Sequence, residues 1–235
     1  MKRITLTLVL ISLPALAQTT QYAGSFLEIP VGAEGLGMGN AFVSLADDGT
    51  AFHYNPAGTA LIDTKILSMM YSSQYGSLFS PLSNFFFLGY AQKLQDLNVS
   101  VDWVRLSVDN IPAEPDLTVY DSPAQRELLV KTGTGAGYFN SADDGIYLNI
   151  SRMYNFDIDL GWAIPKIPVQ LPIGINFKII HRLLDGRAAS GVGIDGGFMF
   201  RFPIGSFFEK GKLGTFSFGM NVRDITINIK NSFLR

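Results

Sequence analysis

In three segments, 173–180, 191–202 and 215–223, the chain alternates apolar with small or polar residues at a period of two, which only extended strands with two unlike faces produce. Ile173, Ile175, Phe177 and Ile179 oppose Gly174, Asn176, Lys178 and Ile180. Val192, Ile194, Phe198, Phe200 and Phe202 oppose Gly193, Asp195, Gly197, Met199 and Arg201, with Gly196 in the apolar row. Phe216, Phe218, Met220 and Val222 oppose Thr215, Ser217, Gly219, Asn221 and Arg223. The charges stay on one side throughout.

Toward the N-terminus the period persists more weakly, in Ile146, Leu148 and Ile150 and in Leu67, Met69 and Tyr71. Val99, Val101 and Trp103 share one parity and Val104, Leu106 and Val108 the other, which predicts a bulge near Trp103. The run Phe85, Phe86, Phe87 and Leu88 predicts a strand covered on both faces, packed on an internal plug. Turn chemistry at 76–83, 183–187 and 203–214 separates about eight strands. The stretch 111–145 has no sustained period and holds Pro112, Pro115 and Pro123, so it reads as a long loop with a helical turn.

Composition decides what covers the apolar row. Charged residues are 16% of the chain and hydrophobic residues 47%, whereas soluble domains carry roughly 25% charge. A soluble β-sandwich would also alternate, but its outward rows should be charged and Thr-rich, and here the polar rows are Gly, Ser and Asn. Past the N-terminus no apolar run reaches about 18 residues, which excludes spanning helices and leaves a closed antiparallel transmembrane β-barrel. Met1, Lys2 and Arg3, the apolar run Ile4 to Leu13 and the Ala15-Leu16-Ala17 site predict a signal peptide over 1–17, hence export. A net charge of −2 without a like-charge block argues against nucleic acid as a partner, and the chain has no cysteine.

Gly35, Gly37 and Gly39 mimic a phosphate-binding turn, but no βαβ unit surrounds them, so they read as structural glycines and not as a nucleotide site. The block around them, VGAEGLGMGNAFVSLADDGTAFHYNPAG, resembles the N-terminal signature of the PorV/PorQ-like outer-membrane proteins, relatives of the FadL hydrophobic-compound transporters. INFKIIHRLLDGRAASGVGIDGGFMFRF and FSFGMNVRDI resemble later strands of that family, in the same order. The resemblance implies a barrel of roughly fourteen strands, placed in outer-membrane lipid. Its N-terminal segment, here 18–62, folds into the lumen as a hatch around Asn55, Pro56 and Ala57, followed by strands over 63–235. About eight strands do not complete such a barrel, and the chain lacks the family's terminal aromatic residue, so a C-terminally truncated product is expected. The implied function is protein secretion and surface attachment, with secreted cargo or secretion-system components as partners. A channel for hydrophobic small molecules and a structural barrel without cargo are the alternatives.

No catalytic constellation emerges, and the chain is expected to be non-enzymatic, without cofactor or metal. His53 and His181 form no metal pattern. Asp47 and Asp48, beside Gly49, read as turn or cap residues. Lys178, Arg182, Asp195, Arg201, Arg223 and Asp224 are expected to form one inward charge network that braces the strands against the hatch, since charges turned from lipid must pair or find water.

Overall fold

The computed structural model describes residues 22–77, 80–113, 122–132, 137–159, 161, 166–205, 213–225 and 228–231; the expected signal peptide lies outside them. One antiparallel sheet contains all eight strands: β1 (Ile66–Ser77), β2 (Ser80–Leu94), β3 (Leu97–Pro112), β4 (Tyr138–Ile158), β5 (Ile167–Leu184), β6 (Arg187–Pro203), β7 (Thr215–Val222) and β8 (Asn228–Asn231). The order is a meander from β1 to β7, as tight turns between antiparallel strands enforce. At the β5–β6 turn Asp185 and Gly186 both take positive φ, 50° and 70°, the primed hairpin turn that suits the right-handed strand twist. The sheet curls into a half-barrel, and the segment 22–62, the hatch, packs on its concave face.

The hatch is a chain of short turns: a 3-10 helix Tyr22–Glu28, α1 (Ala33–Gly37), α2 (Ala51–Tyr54) and a second 3-10 helix Pro56–Leu61. A third α-helix, α3 (Pro123–Thr132), lies between β3 and β4. No helix among the described residues is long and apolar enough to cross a membrane.

Two apolar clusters join hatch and sheet. In the first, Phe26, Leu27, Val31 and Phe52 meet Phe85 and Phe87 of β2, Val104 of β3, Tyr147 of β4 and Ile180 of β5. Phe52 stacks on Phe87 at 5.5 Å between ring centroids and meets the edge of Tyr147 at 4.9 Å. The second gathers Phe42, Ala46, Ala51, Tyr54 and Ala57 around Met199 of β6. Phe85 and Phe87 are thus buried against a plug, as the four-residue run predicted, but Phe86 and Leu88 lie half-buried on the outer face, so the cover expected on both faces is found on the inner one alone.

The convex face carries the other parity. Strand register aligns Met69, Leu88, Trp103, Ile146, Ile179 and Val192 in one row across β1 to β6. The next row is Leu67, Tyr90, Val101, Leu148, Phe177 and Ile194. Of these twelve residues only Leu88 and Trp103 are less than 37% exposed. On the far side of the first row the convex positions turn polar at Arg105, Asp144, His181 and Ser190. His181 is therefore a convex, rim residue, and its Nδ1 lies 3.1 Å from Ser190 Oγ.

Two sequence expectations are corrected. The loop over 111–145 is shorter, because β3 runs to Pro112 and β4 begins at Tyr138. Its period is hidden in the sequence because the strand crosses the polar rim there: Asp143 faces in to bind Arg182, and Asp144 faces out to accept the Trp103 indole N–H at 2.9 Å. The bulge expected near Trp103 lies instead between Val108 and Ile111, and β3 keeps register through Trp103. The parity does not change at Trp103. The inner row Asn98, Ser100, Asp102, Val104 and Leu106 turns from polar to apolar because its second half meets the first cluster.

Candidate functional site

Pro56 holds the residue before it out of the helical region, so α2 ends at Tyr54 and Asn55 is extended, with φ −156° and ψ 111°. The Asn55 side chain then caps the following 3-10 helix, its Oδ1 accepting Ala57 N–H at 3.1 Å, while Pro56 takes the first helical position, where no N–H is needed. Its Nδ2 donates to Val43 O at 2.9 Å within the hatch and to Phe198 O of β6 at 3.1 Å. Every residue from Thr50 to Ala60 is buried, and Asn55 has no solvent exposure. One amide therefore ties the hatch turn to itself and to the wall.

The wall is shaped to receive this backbone. A Cβ on Gly174 of β5 would overlap the Pro56 carbonyl, one on Gly197 of β6 would overlap the Asn55 side chain, and one on Gly219 of β7 would sit 2.5 Å from Val43 O. Around these gaps stand inward asparagines whose amides satisfy hatch carbonyls: Asn98 to Ile62 O at 2.5 Å, Asn149 to Pro56 O at 3.1 Å, Asn176 to Phe52 O at 2.8 Å and Asn221 to Tyr54 O at 2.8 Å. Asn149 also donates to Asn176 Oδ1 at 2.7 Å. Short helices leave most of their carbonyls without internal partners, and a buried one left bare costs about 1–3 kcal/mol. Four different strands supply the missing donors.

Above the Phe52–Tyr54 backbone sits the charge cluster. Lys178 of β5 is almost fully buried, and its Nζ pairs with Asp195 of β6 at 2.7 Å and with Asp224 just past β7. Asp224 adopts φ +56°, and its backbone N–H donates to Asp195 Oδ1 at 2.9 Å. Here the ladder along β6 breaks, with β7 pairing to Gly196–Pro203 and β8 to Ala189–Val192. Arg223 lines the same cavity of about 340 Å³, together with Tyr147, His53 and Tyr54, and has no ion pair among the described residues. Burial, with Arg223 and Lys178 nearby, pushes the His53 imidazole down to about 3, so it stays neutral over the ordinary pH range. Burial likewise raises the Tyr54 phenol.

Of the six predicted charges, the fold brings Lys178, Asp195, Arg223 and Asp224 together and sets the other two apart. Arg182 forms a separate forked pair with Asp143, at 2.8 and 3.0 Å, nearer the β5–β6 turn. Arg201 lies at the opposite end of β6, lining a second cavity beneath the hatch. A residue spacing of 23 between Lys178 and Arg201 carries no information about which end of a hairpin each occupies; only the register does. Of the hatch glycines, Gly35 is pressed against the Tyr54 ring, Gly39 takes φ +63°, and Gly37 faces open space. Asp48 is a turn residue just before α2, its Oδ1 accepting from Thr50 N at 2.8 Å, while Asp47 is exposed.

The asparagines at 98, 149, 176 and 221 and the glycines opposite the hatch carry the docking, and their signal in the sequence is the unusual Gly and Asn content of the inward rows. No family model matches the chain, and no curated protein and no solved structure matches it.

Proposed function

We propose that the chain is an outer-membrane β-barrel protein of the PorV/PorQ type, acting in protein secretion and surface attachment. The observation that carries the membrane part is the convex face, where two successive rows across six strands hold only apolar and aromatic side chains. On β4 the convex positions between Asp144 and Arg152 are Ile146, Leu148 and Ile150. Eight residues at about 3.3 Å span about 26 Å along the strand, on the scale of the apolar band of such barrels, and Trp103 stands where an interfacial aromatic belongs. In water this face would expose an apolar surface far larger than a soluble monomer tolerates.

For the secretion reading over a hydrophobic-molecule channel, support comes from the cavity beside the hatch. Its lining includes Lys178, Asp195, Arg223 and Asp224, a poor environment for an apolar solute. Refolding the signal-cleaved chain with and without detergent and following its β-structure by circular dichroism tests the first part. Native β-structure that forms only in detergent is expected, and a product that folds in water without detergent would overturn the membrane reading. Deleting the gene and fractionating the cells tests the second: surface-attached proteins should be retained in the periplasm. An unchanged surface proteome with impaired uptake of hydrophobic compounds would favour the channel.

A further inference from the structure

The second cavity, of about 610 Å³, lies under the hatch at the end of the sheet where the β2–β3 turn closes, and is lined almost wholly by polar side chains. Two of its ion pairs are closed on themselves, Lys93 with Asp63 at 2.9 Å and Arg152 with Asp96 at 3.6 Å. Two charges remain. Arg201, inward on β6 opposite Gln170, has its Nε shielded from solvent with no hydrogen-bond acceptor among the described residues. Asp47, on the hatch loop above, makes no ion pair among the described residues. The rest of the Arg201 guanidinium lines the cavity with no carboxylate paired to it among the described residues, although half-buried charges of this kind ordinarily have a partner.

We propose that this cavity binds a small zwitterion, a molecule carrying an oxyanion and an ammonium group. The oxyanion lies on the free donors of Arg201, whose planar fork matches carboxylate or phosphate geometry, with the Gln170 amide beside it. The ammonium faces Asp47. The opposite unpaired charges argue against a simple anion, because with the two closed pairs set aside the lining is neutral overall. An aminoalkyl phosphate satisfies both ends, either as a soluble compound or as the head of a phosphatidylethanolamine lipid. The site is independent of the secretion reading, since none of its residues lies in the Lys178 cluster.

The test uses the full chain refolded in detergent and titrated with phosphoethanolamine, followed by calorimetry. Saturable binding is expected. It should weaken at least about tenfold in Arg201→Gln, the loss of a charge-assisted hydrogen bond. Inorganic phosphate should bind more weakly and be indifferent to Asp47→Asn, whereas phosphoethanolamine should lose affinity in that variant. Asp47 is exposed, so Asp47→Asn remains informative if Arg201→Gln fails to fold. Competition by short-chain phosphatidylethanolamine in the micelle would identify the lipid as the source, and binding only of the soluble compound would identify a solute. Absence of saturable binding, or affinity unchanged in Arg201→Gln and Asp47→Asn, would overturn the proposal.

Discussion

At Asn55 a single side chain makes three hydrogen bonds, two given and one accepted, with no water available to replace them. Asn55→Ala should therefore destabilise the folded chain by about 2–4 kcal/mol, read as a lower denaturation midpoint in detergent. Gly197→Val should be at least as damaging, because the added side chain enters space held by Asn55 and the hatch cannot rise without breaking the neighbouring asparagine contacts. His53 adds a pH dependence with a definite sign. Its folded value, about 3, lies below the unfolded value of 6.5, so between these the unfolded chain binds more protons. The His53 contribution is intact above pH about 6.5 and falls progressively toward pH about 3, with a limiting slope of about 1.4 kcal/mol per pH unit. Melting curves of the wild type and His53→Gln should diverge across that window and run parallel above it.

The strands set consequences for whole rows. Phe177 lies in the middle of the convex rows, between Leu148 and Ile194, and Phe177→Arg should disfavour insertion by about 2–4 kcal/mol if that row lies near the bilayer midplane. The same change at Ser72, on the concave side of β1, should perturb insertion much less. Equal penalties in a lipid-partition titration would refute the assignment of faces. The ladder break between β7 and β8 is bridged by Asp224 through Lys178, so Lys178→Met leaves Asp195 and Asp224 facing each other without their cation. Removing one member of a buried cluster costs about 3–5 kcal/mol, whereas Arg182→Met, at a partly exposed pair, should cost clearly less. Denaturation of the two variants side by side checks the ranking.

For the molecule as a whole, the alternation, the apolar surplus over charge and the turn at Asp185–Gly186 made an antiparallel sheet legible in advance. So was the plug under Phe85 and Phe87, since a strand apolar on both sides needs two apolar surroundings. These are local properties: a period of two assigns faces whatever the partner strand is. Where a strand passes from the apolar belt to its rim, as at 138–145, or from a polar to an apolar inner neighbour, as at Val104, the period is still obeyed but the residue types no longer show it. The grouping of charges was not legible at all. Lys178 meets Asp195 and Asp224 while Arg201 stands alone at the far end, because strand register and the two extra residues opposite Gly193–Asp195 decide which inward side chains share a level. Which side each residue faces was readable from its place in the chain, through backbone geometry that every strand shares. Which of them meet was not, because the hatch and the wall lie far apart in the chain and touch only after the sheet has curled around them.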